Sequence, residues 1–236
     1  MSAGGGGRHA ARCGNDLAGH FGNDLFQNGG MTTAIDPSTD APTRGRPREF
    51  DVDVVLDKAV AVFCARGYHA TSIGDLTDAM GLASGSVYKA FKDKRGVYLA
   101  ALDHYKAGSD ARLRATLAVG ANGRERVRLA LAHYAEASHG RRGRLGCMVI
   151  NGASELATFD DELARWVAAS LRRNEALLAG LLREAQADGS IPPHVDPAPT
   201  ARLLLCLTQG MRVVGKTGAT RKDMLALVDI AMKTLA

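Results

Sequence analysis

The sequence predicts an all-α protein with a small N-terminal helix-turn-helix domain of three helices, a larger helical domain and about nine helices in total. Apolar residues recur at helical spacing from residue 51 onwards, and no alternating strand pattern appears. The 236 residues are 46% hydrophobic and 23% charged, as in an ordinary globular chain. We divide the chain into a disordered N-terminal extension (1–43), a helix-turn-helix domain with a basic arm (44–95) and a helical domain (96–236).

The N-terminal extension is poor in large apolar residues. Residues 4–7 are four consecutive glycines, and the word GNDL occurs at 14–17 and again at 22–25. Such a composition cannot bury enough apolar surface to fold, which predicts disorder. Met31 opens a more usual leader, so either the protein starts there or the first thirty residues form a functional tail.

A basic arm follows, because Arg44, Arg46 and Arg48 alternate with Gly45 and Pro47. Glycine and proline at this spacing prevent a helix and leave a flexible cationic segment. Such arms lie along a DNA minor groove or its phosphates. The alternative is a solvated linker.

Four short helices are predicted between residues 51 and 108. The first has an apolar face and stops at Gly67, and the second starts at Ser72, where Asp75 completes a capping-box pattern. The second ends at Gly81, the third runs over 83–91, and the fourth begins after an N-cap aspartate, Asp93. The inward apolar residues of the first two helices are Val52, Leu56, Ala59, Val60, Phe63, Ile73, Leu76 and Met80.

Two short helices joined by a tight glycine turn form a helix-turn-helix, whose second helix can enter a DNA groove. Val87 and Phe91 face inward from that helix with Leu82 beneath them. Its small N-terminal end lets the backbone approach base edges, and its cationic end suits phosphates. Four Lys/Arg and one Asp lie between residues 84 and 95, although the net charge of +5 comes from the second half of the chain. A mere packing unit with a solvated basic edge is the alternative. The outer face comprises Ser84, Gly85, Ser86, Tyr88, Lys89 and Lys92.

The run from Phe63 to Lys94 (FCARGYHATSIGDLTDAMGLASGSVYKAFKDK) resembles the DNA-binding domain of the TetR/AcrR family of bacterial transcription regulators. The preceding Gly45-Arg46-Pro47-Arg48 is similar to the arm of that family. One departure is Ala83, where the family commonly has Ser. Because alanine is a poor N-cap, Ser84 is expected to cap the third helix instead, one residue later. Matching positions are Phe63, Gly67, Tyr68, Thr71, Ile73, Leu76, Ala79, Gly81, Leu82, Gly85, Val87, Tyr88, Phe91 and Lys94.

The resemblance implies a homodimeric regulator that binds a double-stranded DNA operator and is released by a small-molecule effector, most simply a repressor. A cytoplasmic location is expected because the sequence shows neither a secretory signal nor a membrane-spanning run. Thr71 or Ser72 would meet a phosphate at the N-terminus of the second helix. Ser84, Gly85 and Ser86 would face bases, whereas Tyr88, Lys89 and Lys92 would hold the DNA backbone. Lys94 would anchor another phosphate. The arm would add Arg44, Arg46 and Arg48.

The second half is predicted to form five further helices, over 122–139, 147–157, 160–188, 200–216 and 221–235. The resemblance implies that the last two helices form the dimer interface. Their apolar stripes suit that role, although core packing within one chain would use the same residues. The candidate interface residues are Leu203, Leu204, Leu207, Met211, Leu225, Val228, Met232 and Leu235.

An effector pocket inside this domain would be lined by large or polar groups, unless these are plain core. Arginines at 124, 126, 128, 141, 142 and 144 either attract an acidic effector or form a solvated face. Cys147, where a helix begins after Arg144, is either a thiol-based redox or electrophile sensor or a buried apolar residue. Cys64 and Cys206 are expected to be inert on apolar faces. The candidate pocket residues are Tyr134, Cys147, Met148, Asn151, Phe159 and Trp166.

Other function classes find little support in the sequence. His104, His133, His139 and Cys147 are the obvious catalytic candidates, yet no spacing indicates a nucleophile. Neither a metal motif nor a phosphate-binding glycine loop is present, so we expect no cofactor and no enzyme. No apolar run is long enough to span a membrane. A helical protein-interaction adaptor is the remaining alternative, and it would not need a cationic outer face.

Overall fold

A computed structural model describes residues 50–236. Within that range the chain is all-helical, as predicted, and the described part contains ten α-helices and a short 3-10 turn over Gly215–Thr217. The helices are α1 (Val52–Arg66), α2 (Ile73–Met80), α3 (Ser84–Phe91), α4 (Lys94–Leu117), α5 (Gly123–Glu136), α6 (Gly140–Leu145), α7 (Met148–Glu155), α8 (Asp161–Ala187), α9 (Pro197–Val214) and α10 (Arg221–Lys233).

Side-chain caps fix the helix starts where the sequence places them. Ser72 and Asp75 form a reciprocal capping box at α2, and Asp93, Asn122 and Asp160 accept the backbone N–H three residues ahead at α4, α5 and α8. Each such cap supplies an acceptor for an otherwise unpaired helical N–H. The polar caps therefore set the register of the helices that position the site.

The short helix α6 is the element that the sequence analysis missed. It has the sequence GRRGRL, and α5 ends at Glu136 rather than near His139. Two glycines and three arginines carry no apolar period, so nothing in the pattern distinguishes these six residues from a loop. Its cause is tertiary, because Gly143 lies against the backbone of Ser138 and of Gly215, where a Cβ atom would not fit.

Two apolar cores are joined by α4 and α8, which pass through both. The head, formed by α1–α3, packs on the N-terminal halves of α4 and α8 and on α7, around Phe63, Leu76 and Tyr98. The second core lies among α5, α9, α10 and the C-terminal halves of α4 and α8, around Leu131 and Leu182. No helix of the described residues is long and apolar enough to cross a membrane.

Candidate nucleic-acid interface and interior cavity

Helix α3 presents a small, hydroxylic and cationic face to solvent. Val87 is fully buried beneath it, whereas Ser84, Gly85, Tyr88 and Lys89 are exposed. Ser86 is half-buried on the same helix, and Lys92 is exposed directly after it. The division matches the predicted one: the apolar side holds the helix on the head, and the outer side is free to meet a groove.

The start of α3 differs from the expectation that Ser84 would cap it. Ala83 is the N-cap, with an extended backbone and no side-chain hydrogen bond, and its carbonyl accepts from Ser86 and Val87 N–H groups. Ser84, Gly85 and Ser86 therefore form the first helical turn. The hydroxyls of Ser84 and Ser86 are not needed to cap the helix, and Ser84 is exposed at its N-terminal end.

Lys92 closes α3 in a strained γ-turn. Its φ of 70° and ψ of −53° make it the one non-glycine residue with positive φ between residues 50 and 236. The Asp93 N–H donates to the Phe91 carbonyl at 2.9 Å across this turn. Such a turn is rare and costs roughly 1–2 kcal/mol for an L-residue. It separates α3 sharply from α4 and leaves the Lys92 ammonium in solvent.

Two of the four cations near α3 are engaged inside the protein. The Lys94 ammonium donates to the carbonyls of Tyr68 at 3.0 Å and Thr71 at 2.9 Å, and it lies over the Tyr68 ring. Arg95 pairs with Asp160 and Glu162 on the α8 side. Lys94 was the expected phosphate anchor. In the structure its ammonium instead connects the start of α4 to the α1–α2 loop. Lys89 and Lys92 remain as the exposed cations of this face.

The N-terminus of α2 is likewise satisfied internally. Thr71 is buried, and its hydroxyl donates to the Gly67 carbonyl at 2.6 Å, so it is not a surface hydroxyl as expected. Ser72 is exposed, but its hydroxyl serves the capping box with Asp75, which also pairs with Arg66. Of the two candidates, Ser72 alone lies at the surface. Arg44, Arg46 and Arg48 lie outside the described residues.

We expect Lys94→Met to lower the free energy of unfolding by about 2 kcal/mol, because it leaves two carbonyls without their charged donor. Lys92→Gly should do the opposite, raising that free energy by about 1 kcal/mol through relief of its positive φ. Urea unfolding measures both. Titrations at several salt concentrations should show that Lys92→Gly alone reduces the salt dependence of DNA binding, by about one unit of slope. An unchanged stability of Lys94→Met would contradict its internal role.

The Glu155 carboxylate links the end of α7 to the α1–α2 loop of the head. Glu155 Oε2 accepts a hydrogen bond from the Tyr68 N–H at 2.8 Å, and the Glu155 carbonyl lies 3.3 Å from His69 Nε2. A Cβ atom at Gly67, whose φ is 78°, would lie 2.6 Å from Glu155 Oε1. Glycine at this position therefore allows the carboxylate to sit against the α1–α2 loop.

An interior cavity lies between the two cores, where both through-running helices turn polar. Helix α4 lines it with Tyr105, Lys106 and Asp110, and α8 lines it with Ser170 and Asn174. Its volume is about 30 Å³, room for roughly two water molecules. The remaining lining comes from α5, α6, the start of α7 and α9, and includes His133, Tyr134, Arg142, Cys147, Val149, Gln209 and Arg212.

The candidate pocket residues divide into three groups. Tyr134 and Cys147 line the cavity. Met148, Asn151 and Trp166 are buried elsewhere: Trp166 donates to Asp103 at 2.8 Å, and Asn151 accepts from Lys216 at 2.9 Å. Phe159 is 82% exposed on the α7–α8 turn, which contradicts its assignment to the interior. Because Phe159 lies between α7 and α8, helical periodicity in the sequence does not indicate whether its side chain faces inward.

The cysteines do not favour a thiol sensor. Cys147 is the N-cap residue of α7, but only 9% of it is exposed, beside Arg212 and Tyr105 in the cavity wall. Cys64 is buried, and burial raises the pKa of its thiol to about 11. Cys206 is exposed, contrary to the expectation of a buried apolar face. Cys13 lies outside the described residues.

The stripes chosen for a dimer interface prove to be mostly core. Leu204, Met211, Val228, Met232 and Leu235 are buried within the same chain. These side chains are therefore not available to a partner. Leu207 and Leu225 are half-buried, and Leu203 alone is strongly exposed, at 56%.

The described part of the chain matches two models of one family. Residues 55–101 match "Bacterial regulatory proteins, tetR family", and residues 123–223 match "Tetracyclin repressor-like, C-terminal domain". The first range covers the helix-turn-helix, and the second runs from α5 to the start of α10. The resemblance noted in the sequence therefore extends to both domains.

Curated relatives and solved structures agree with these matches. The HTH-type transcriptional repressor ComR of Escherichia coli is 32% identical over 195 residues, which cover 81% of this chain and 91% of ComR. The uncharacterised regulator YezE of Bacillus subtilis is 29% identical, over 81% and 99% of the two chains. A cysteine-substituted TetR-family regulator, CifR, in complex with 26-base-pair operator DNA superposes with a TM-score of 0.73. The two chains are 28% identical, and the superposition covers all of the CifR chain and 81% of this chain.

Proposed function

The chain belongs to the TetR family of bacterial transcription regulators, and from that membership we propose that it is a cytoplasmic homodimeric repressor released from its operator by a small-molecule effector. It is a DNA-binding protein and not an enzyme. The observation that carries the proposal is the division of α3, whose Val87 is buried while Gly85, Tyr88 and Lys89 face solvent. CifR is a relative of the same fold that binds a double-stranded operator.

In the proposed complex, Ser84, Gly85 and Ser86 bring the N-terminal turn of α3 against base edges. Tyr88, Lys89 and Lys92 then lie further along the same face, within reach of the phosphates. The two heads of a dimer would read half-sites about one helical turn apart. DNase footprinting on the DNA that flanks its own gene tests the assignment: protection of a palindromic site supports it, and no protection at any site opposes it.

Release requires that the cavity and the head be coupled, and α7 offers the physical connection. Its first turn lines the cavity through Cys147 and Val149, and its last residue, Glu155, holds the α1–α2 loop. Eight residues of helix span about 12 Å. A ligand that displaces α7 therefore changes the support of the head, and it must bind the free dimer more tightly than the DNA-bound dimer.

We expect Glu155→Gln to weaken this coupling. A neutral amide oxygen accepts the Tyr68 N–H with roughly 1 kcal/mol less favourable energy than a carboxylate. The loss of operator affinity caused by an effector should then shrink about fivefold, while effector binding to the free protein stays unchanged. Fluorescence anisotropy with labelled operator measures the first quantity, and calorimetry measures the second.

Asp161→Asn provides the control for this variant, because Asp161 is an exposed carboxylate in the first turn of α8. It should respond to effector as the parent protein does. Equal responses from Glu155→Gln and the parent would remove α7 from the proposed route.

A further inference from the structure

Two residues that line the interior cavity each carry a buried polar atom that lacks a hydrogen-bond partner. These atoms are Nη1 of Arg212 on α9 and Oγ of Ser170 on α8. Arg212 is 3% exposed, and Ser170 is fully buried. Buried donors are almost always paired, because desolvation without a partner is costly. Two such atoms in the wall of one cavity mark the place where a ligand would supply acceptors.

The other half of the Arg212 guanidinium is held by the protein. Its Nη2 donates to the Gly146 carbonyl at 2.5 Å and lies 3.4 Å from the Tyr105 hydroxyl. The guanidinium is therefore fixed in direction by its Nη2 side, while its Nη1 remains without a partner. A guanidinium whose orientation is set in advance loses little side-chain freedom when it binds.

The charges around the cavity leave a positive excess. Lys106 and Asp110 form an ion pair and compensate each other. Burial lowers the pKa of His133 to about 4, so this side chain is neutral at pH 7. Arg212 and Arg142 remain, the second being exposed on the solvent side of the lining. A buried positive charge without a counter-charge is unfavourable, which makes an anion the fitting occupant.

We infer that the effector is a small organic monocarboxylate whose oxygens accept from Arg212 Nη1 and Ser170 Oγ. This inference rests on the proposed function, in which the cavity is the effector site. The number of free donors matches the two oxygens of a carboxylate better than the four of a phosphate. A volume of about 30 Å³ accepts little more than the carboxylate itself. The rest of the molecule has to displace lining such as Val149, the cavity residue of α7.

Calorimetry and thermal unfolding of the full chain without DNA test the ligand class. The probes are acetate, butyrate and benzoate, each compared with its neutral amide, and inorganic phosphate at equal ionic strength. We expect at least one carboxylate to bind and to raise the melting temperature, with its amide bound at least tenfold more weakly. Binding of an amide as tight as that of its carboxylate, preferential binding of phosphate, or no binding of any carboxylate would overturn the inference.

Two variants place the anion in the cavity. Ser170→Ala should weaken carboxylate binding about tenfold while leaving the melting temperature unchanged or higher, because it removes an unpaired buried hydroxyl. Arg212→Gln should abolish binding, and Arg165→Gln, an exposed arginine on α8, should not alter it. Parent-like binding by Ser170→Ala would overturn the assignment even if Arg212→Gln fails to fold.

Failure of this inference and failure of the proposed function give different results. A neutral compound that releases the operator, with no response to carboxylates, contradicts the anion and leaves effector-controlled repression intact. A carboxylate that binds the cavity of a protein lacking any operator supports the anion and contradicts the proposed function.

Discussion

Gly85→Leu should reduce operator affinity by at least about 100-fold without destabilising the protein. A Cβ atom at Gly85 would have no neighbour within 4 Å, so the free protein has room for the larger side chain. Leucine is also a better helix former than glycine, by up to about 0.8 kcal/mol. In the complex, however, the leucine would stand between the first turn of α3 and the base edges. Binding should then fall towards the non-specific level, which lies a thousandfold or more below specific binding.

Graded variants separate a steric effect from a general one. Gly85→Ala should fall between the parent and Gly85→Leu in operator affinity. Gly180→Leu is the matched control, since Gly180 lies within α8 and its Cβ position is equally open. Anisotropy with operator and with random DNA measures affinity, and urea unfolding measures stability. Parent-like operator binding by Gly85→Leu would remove the first turn of α3 from the interface.

The head could be predicted closely from sequence because its signals are local. The Ser72–Asp75 capping box, the Asp93 cap and the buried Val87 all follow from spacing within a few residues. What the sequence could not reveal is where a cation points. Lys94 and Lys92 are two residues apart and chemically identical, yet one donates to the carbonyls of Tyr68 and Thr71 and the other faces solvent. That difference depends on the packing of the α1–α2 loop against α4.

In the sequence, the cavity is indicated by polar residues midway along two long helices and not by large side chains. Within α4, apolar residues at 97–102 and again at 113 and 117 flank a polar stretch at 105–110. Helix α8 repeats the pattern, with Ser170 and Asn174 between its apolar halves. An internal polar site is indicated where two long helices carry polar residues midway along faces that are otherwise apolar and buried. Arg212 could not be found this way, because its burial depends on α9 packing against the start of α7.

The proposed dimer interface shows a different limit of prediction from sequence, since α9 is apolar on two sides. Leu204 and Met211 fill the core, whereas Leu203, Cys206, Gly210 and Val213 follow one another at intervals of three or four on the exposed side. Periodicity identifies both stripes but not which one faces inward. Ile230 on α10, 59% exposed, adds to the apolar surface of these two helices. We propose that this surface, and not the buried stripes, packs against a second copy in a four-helix bundle.

Leu203→Glu combined with Ile230→Glu should convert the dimer to a monomer and reduce operator affinity by at least about 100-fold. Two carboxylates buried without partners would oppose association by several kcal/mol, whereas in the single chain both positions already face water. A monomer also loses the linked second half-site that raises the affinity of the first. Sedimentation equilibrium gives the mass, and anisotropy gives the affinity. Val119→Glu, an exposed site on the α4–α5 connection, is the control and should remain dimeric.

The thiol of Cys206 offers an independent readout of the same surface. Among residues 50–236 it is the exposed cysteine, while Cys64 and Cys147 are buried. In a Cys13→Ser background, alkylation of Cys206 should therefore be slow in the dimer and faster in the double glutamate variant. A double variant that stays dimeric, with Cys206 alkylated at the parent rate, would mean that the two copies meet on another face. Monomer formation with faster alkylation would instead locate the interface on the Cys206 side of α9, opposite the side on which Leu204 and Met211 hold the core.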